Sequence, residues 1–245
     1  MDLKEKTSNT HRHPWELSRA QGILGLIQKR KLKRFADVGA GDGFFARKLL
    51  SLHPDVVYAA DSEYGDEEAC IAGVRCVNSI AKLSRESFDG LILMDVLEHI
   101  EDDAAFLQEA LDKLVAGGTL LITVPAMQFL FSAHDRFLDH YRRYSRKRLL
   151  ALLNRNGLAV ERCHYFYASL LLFRLISLSK RVLPIPKREP TGVGMWRFSE
   201  KNLLTQCIVG FLNADFCISR MLGRRRVYLP GLSVVAVCRK KSSKA

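Results

Sequence analysis

Residues 35 to 50 read FADVGAGDGFFARKLL, a short apolar run followed by three glycines at alternate positions, Gly39, Gly41 and Gly43, and then by helix formers. A strand, a turn with almost no side chains and a helix in direct succession form a binding site made of backbone. Glycines let a ligand approach the main chain, and the crevice at the carboxyl edge of a sheet receives it. Dinucleotide sites use G-x-G-x-x-G, with a pyrophosphate on the helix N-terminus. Here the spacing is G-x-G-x-G, with Asp37 ahead of it and Ala40 inside it. A carboxylate at that point repels a pyrophosphate and pairs with a cation, so a ligand with a ribose diol and a positively charged amino acid portion fits better. The ribose needs an acidic acceptor about 20 residues on, and Asp61, closing VVYAAD and followed by Ser62, is placed there.

Strand-like and helix-like segments alternate through the first two thirds of the chain, the pattern of a parallel sheet covered by helices on both faces. The spacing predicts helices over 15–32, 44–53 and 146–156. Strands are predicted at 35–39, 56–61, 74–78, 89–95, 119–125 and in LAVERCHYF, with LSVVAVC as the last. A further helix opens on the carboxylates of 101–103, which suit the positive end of a helix dipole. Its predicted apolar face is Phe106, Leu107, Ala110, Leu111 and Leu114, with Gly117 and Gly118 as its stop. In the later helical segment the expected buried stripe is Leu204, Cys207, Ile208, Phe211 and Leu212.

Four stretches, FADVGAGDG, VVYAAD, SFDGLILMDVLEHIEDD and LVAGGTLLITVPA, together resemble the class I S-adenosylmethionine-dependent methyltransferases, in particular the small-molecule group that includes quinone-biosynthesis enzymes. The resemblance implies an α/β fold: a doubly wound, mostly parallel seven-stranded sheet of Rossmann-like type whose last strand is antiparallel; in that group the last two strands commonly form a hairpin, so the stretch between them here is a helical insertion. Within one domain this gives an N-terminal helical cap (1–33), a cofactor core (34–126), a substrate-side lid and helix (127–157), the insertion (165–230) and the last strand (231–239). By the same resemblance the cofactor is S-adenosylmethionine. Asp37 and the glycines would hold its methionine part and Asp61 its ribose. Ser79 and Ile80 would lie near the adenine, where many relatives have an acid, and Asp95 and Val96 would lie beside the cofactor after the fourth strand. HRHPWELSR resembles the opening of some members, which would fold His13, Trp15 and Arg19 over the cofactor; an ordinary leading helix is the alternative.

Methyl transfer to a hydroxyl requires alignment and removal of a proton. His99 is the candidate base, with a purely structural histidine as the alternative. Quinone-precursor methyltransferases carry an E-x-x-E-H stretch that looks metal-linked, and Asp95, Glu98 and His99 match it as D-x-x-E-H. These three could hold a magnesium- or zinc-like ion, or Glu98 could face solvent. The aromatic and basic run after the fifth strand, with His134, Asp135, His140, Tyr141, Arg142, Arg143 and Tyr144, is the expected substrate side, where arginines could clamp a phosphate or carboxylate; a solvated turn is its alternative.

Charge and cysteines bound the partners. The 38 lysines and arginines against 26 acids give a net charge of +12, which attracts phosphates of any source. The six cysteines are scattered without C-x-x-C spacing, and the polar opening lacks the apolar core of a secretory leader, so the expected compartment is cytoplasmic. Residues 165–187 place aromatics, then leucines, then basic residues, an order that suits an amphipathic helix on an anionic membrane and equally a buried helix with a basic exit. The acceptor is accordingly expected to be a small or lipid-like molecule methylated at oxygen. An RNA methyltransferase using the basic surface and a non-catalytic nucleotide-binding scaffold at a membrane are the other readings, and no nucleic-acid-binding module stands out.

Overall fold

The computed structural model describes residues 11–179, 196 and 198–242. Strands β1 (Arg34–Val38), β2 (Val56–Ala60), β3 (Ala69–Ile71), β4 (Val74–Val77), β5 (Phe88–Met94), β6 (Leu114–Pro125), β7 (Leu158–Phe166) and β8 (Ser233–Lys240) form one sheet in the order β3-β4-β2-β1-β5-β6-β8-β7. Pairings from β4 through β6 are parallel, whereas β8 runs antiparallel to both β6 and β7. The architecture is the doubly wound one, with eight strands in place of seven. The extra strand is β3, which turns back through Ala72 and Gly73, both at positive φ, to pair antiparallel with β4. Three exposed residues carry no periodic signal, which is why it escapes a pattern reading.

Helices cover both faces. One layer holds α3 (Asp103–Lys113) and α5 (Arg146–Arg155), which bury Leu107, Ala110, Leu111, Leu149 and Leu153 on the sheet. The other holds α1 (Pro14–Ile27), α2 (Phe44–Leu49) and α7 (Leu203–Arg224), which bury Ile23, Ile27, Ala46, Leu49, Leu212 and Phe216. The short α4 (Ala133–Phe137) lies in the lid, and α6 (Ala168–Ser179) opens the inserted segment. Helix α1 starts where Pro14, which has no N–H to lose, occupies the first position and the Glu16 carboxylate accepts from the His13 amide at 3.3 Å. Asp102 caps α3 by accepting from the Ala105 amide at 3.0 Å.

Two sequence expectations are corrected. Helix α3 ends at Lys113, so Leu114 and the paired glycines belong to β6, where Gly117 sits at φ +74 in a bulge before the regular register resumes at Thr119. Helix α7 is rotated from the expected stripe, of which Leu212 is buried and Ile208 partly buried. It buries Thr205, Leu212, Phe216 and Ser219, while Leu204, Cys207 and Phe211 are exposed. The seam with α1 decides this rotation: the Phe216 ring lies so close to Gly22 that a Cβ there would stand 2.9 Å from ring carbons. Two side-chain bonds tie the seam further, and a third holds α1 to the residue before α6. Asn213 donates to Gln21 at 2.7 Å, Arg220 to the Gly25 carbonyl at 3.3 Å, and the Tyr167 hydroxyl to the Trp15 carbonyl at 3.1 Å.

Candidate active site

The strand order reverses direction around β1, so the crevice between the carboxyl ends of β1 and β5 is the expected ligand site. Gly39, Gly41 and Gly43 there have φ of +69, +56 and +70, values that L side chains rarely adopt. Gly39 also leaves no room: an added Cβ would lie 2.5 Å from Val96 Cγ2, so the β1 turn and the residue beyond β5 touch only because position 39 is bare. Asp61 accepts from the Gly41 amide at 2.7 Å and from the Glu63 amide at 3.1 Å, fixing the turn against the end of β2.

Asp37 is 2% exposed, and its Oδ2 has no hydrogen-bond partner among the described residues. Burial pushes its carboxyl up to about 7, with the Asp61 charge adding to the rise and Arg19 and the Ala46 amide opposing it. A buried acceptor in this state is incomplete without a cationic or N–H donor. S-adenosylmethionine, with its ammonium and sulfonium, fits that requirement, and the carboxylate stays charged once the cation is beside it.

The other expected cofactor positions follow strands β2, β4 and β5. Ser62 is an exposed turn residue. Ser79 caps a short turn of helix through its hydroxyl, which accepts from the Ala81 amide at 3.2 Å, and Ile80 is buried beside it. Asp95 follows β5 at φ +56, a conformation aspartate tolerates better than most residues. Its carboxylate accepts from the Thr123 hydroxyl at 2.9 Å and from the Arg19 guanidinium. Arg19 comes from α1, is 6% exposed, and lies 4.6 Å over the Trp15 ring, so the cap does reach the end of β5. Arg12 bonds Asp42 within the glycine turn and lies 3.8 Å over Phe44.

Past Val96 stands a second group of residues. Glu98 is fully buried, neither of its carboxylate oxygens has a hydrogen-bond partner among the described residues, and burial pushes it up to about 8. His99 meets the His140 ring edge-on at 4.5 Å. His140 Nδ1 lies 3.2 Å from Asp135, which also accepts from the Ser132 amide at 2.8 Å and from Arg143 Nε at 2.6 Å. Burial opposes ionisation of Asp135, yet the bonds from His140 and Arg143 hold its carboxyl well below the usual range.

The substrate-side run is therefore distributed differently from its uniform appearance in sequence. Arg143 turns to Asp135, Arg142 pairs with Asp103 at 3.0 Å, and the buried Tyr144 donates to Asp103 at 2.7 Å. Tyr141 is 53% exposed and its amide donates to the Glu98 carbonyl at 2.7 Å, stitching the lid to the loop after β5. His134 is half-buried on α4. The juxtaposition of His140 with Glu98 and His99 was not readable from the chain, because it joins two loops that share no period. A groove of about 600 Å³ lies between α1, α2 and α7, lined by Leu17, Leu24, Phe44 and Val209 among others; it adjoins the glycine turn at Phe44, and none of Asp37, Glu98, His99 or His140 lines it.

Residues 16–162, which include both carboxylate clusters, match the methyltransferase-domain family. The chain belongs to that family. It is a class I methyltransferase, and S-adenosylmethionine is its cofactor. A similar curated protein is the ubiquinone biosynthesis O-methyltransferase of Parvibaculum lavamentivorans, 31% identical over 98 residues, a match covering 36% of this chain and 39% of that one. Similar solved structures include a SAM-dependent methyltransferase from Archaeoglobus fulgidus, with TM-score 0.56, 14% identity and coverage of 92% of this chain and 94% of that one. Another is phosphoethanolamine N-methyltransferase 2 of Haemonchus contortus in complex with S-adenosyl-L-methionine, with TM-score 0.54, 16% identity and coverage of 91% and 52%. At these identities the structural likeness establishes the fold.

Proposed function

We propose that this methyltransferase transfers a methyl group to an oxygen of a small, apolar acceptor. The observation that carries the reading is the placement of His99: just past Val96, beside the residue that abuts the glycine turn, and set against His140. S-adenosylmethionine supplies a methyl carbon made electrophilic by its sulfonium. An acceptor hydroxyl placed in line with that carbon would have to lose its proton, and His99 would accept it. Asp37 and the glycine turn orient the donor. Trp15 and Arg19, reaching over from α1, exclude water from the same crevice. The name of the Parvibaculum relative supports oxygen as the accepting atom.

The inserted segment supports a lipid-like acceptor. Leu172 and Phe173 on α6 are 60% and 71% exposed, and α6 adjoins the lid, because Arg174 donates to the Ser132 hydroxyl at 3.4 Å. The sequence that follows, KRVLPIPKR, is basic and lies outside the described residues. An apolar face leading into cations suits peripheral contact with anionic lipid at the cytoplasmic side of a membrane. Among the described residues no helix is long and apolar enough to cross a membrane. Transfer of labelled methyl into lipid extracts, small-molecule extracts and RNA tests the reading. Label in the organic phase, released as a methyl ether, is the expected result; label confined to RNA, or in none of the three, overturns it.

A further inference from the structure

We infer that Glu98, His99 and His140 form a divalent transition-metal site, with His140 oriented by Asp135. Each of the three offers one ligand atom, and these atoms lie within 4.8 Å of one another. Two ligands on one ion at bonds of about 2.0–2.2 Å stand no more than about 4.4 Å apart, so a small adjustment of these side chains brings all three onto one ion.

The surroundings point to a cation. Glu98 is 0% exposed, and both of its oxygens lack hydrogen-bond partners among the described residues. Buried carboxylates are paired or hold metals. The nearby arginines are already matched elsewhere, Arg19 with Asp95 and Arg143 with Asp135. His140 is prepared as a ligand on its far side: with Nδ1 against Asp135 Oδ1 at 3.2 Å, the ring proton sits on Nδ1 and Nε2 is left to bind. Asp135 cannot turn away, because the Ser132 amide and hydroxyl and Arg143 Nε all bond it. Such a carboxylate behind a histidine is the outer shell that metal-binding histidines usually have.

The same geometry removes a competing ligand. Asp95, which the D-x-x-E-H spacing offered as the third group, is committed to Thr123 and Arg19. The replacement comes from the lid, about 40 residues later, so one ion would join the loop after β5 to the substrate side. Two imidazoles and one carboxylate favour zinc, iron, manganese or cobalt over magnesium, and three protein ligands leave a position for the acceptor oxygen. An ion there would lower the pKa of a hydroxyl bound to it, so the proton would leave to water, and His99 would give up the role of proton acceptor proposed above to serve as a ligand.

The inference rests on the methyltransferase reading only in where the acceptor lies, and it can be tested without turnover. The full chain, stripped with a chelator, is titrated with Co²⁺ while calorimetry with S-adenosylhomocysteine checks separately that the donor site is intact. One equivalent of Co²⁺ with visible d–d bands is expected. Asp135→Asn should weaken Co²⁺ about 10–100-fold with S-adenosylhomocysteine binding intact. His140→Ala should abolish the bands, and Asp95→Asn should leave Co²⁺ affinity within a factor of about two of wild type. A wild-type chain that binds S-adenosylhomocysteine but shows no saturable Co²⁺ binding overturns the site, as does full affinity in both His140→Ala and Asp135→Asn. If His140→Ala does not fold, Asp135→Asn and the wild-type spectrum decide. A chain that takes up Co²⁺ and ignores S-adenosylhomocysteine refutes the donor reading and leaves the metal site standing.

Discussion

Replacing Asp37 by asparagine should move stability and donor binding in opposite directions. In the folded chain burial raises the carboxyl from 3.8 to about 7. Between about pH 4 and pH 7 the folded state therefore holds this proton more tightly than the unfolded state does. The group favours folding most below about pH 4, and that advantage falls away as the pH rises through 7. Three pKa units at 1.36 kcal/mol each correspond to about 4 kcal/mol between those limits. Asparagine removes the slope but leaves a buried amide, itself worth a penalty of about 1–3 kcal/mol. The net expectation at pH 8 is a ligand-free Asp37→Asn protein about 2 kcal/mol more stable than wild type, or roughly 4–8 °C in Tm. At pH 4 that gain should be gone. Donor binding should respond the other way, losing about 10–100-fold in affinity with one charge-assisted contact. Thermal scans at pH 4 and pH 8, with and without S-adenosylhomocysteine, read both effects. A variant no more stable than wild type at pH 8, or one stabilised by the ligand as much as wild type, refutes the argument.

Gly39→Ala should destabilise the fold by about 1–3 kcal/mol and weaken donor binding, because the new methyl meets Val96 at 2.5 Å in a left-handed backbone; urea unfolding and calorimetry with S-adenosylhomocysteine should register the two losses together. Phe216→Ala, at a site 3% exposed, should lower stability by about 3–5 kcal/mol and also weaken donor binding, since α1 carries Arg19 to the site. Unchanged donor affinity in a folded Phe216→Ala protein would uncouple the cap from the insertion. The double substitution Leu172→Ser and Phe173→Ser should reduce co-sedimentation with anionic vesicles about tenfold at low salt without shifting Tm, and equal binding would remove the membrane reading.

The glycine turn at the end of β1 is legible in the chain because its parts are local. A strand, three glycines and an acid at the end of the next strand occupy fixed offsets, and Asp37, Gly39, Gly41 and Asp61 meet accordingly. What the chain concealed is tertiary. The burial of Glu98 beside His140 depends on the lid folding back, and Arg142, Arg143 and Tyr144 look like one polar cluster until Asp103 and Asp135 divide them. Helix α7 misled for a related reason. Its apolar residues cover more than one face, so only the close approach of Gly22 to Phe216 selects the buried one.

That seam joins residues separated by roughly 190 positions, and strand β8, near the C-terminus, slots between β6 and β7. During synthesis at about 5–20 residues per second, α1 leaves the ribosome some 10–40 seconds before the ring that receives it. A nascent chain would thus display the glycine crevice before α7 could fix α1 over it, and competence to retain the methyl donor would arrive only once α7 and β8 have formed.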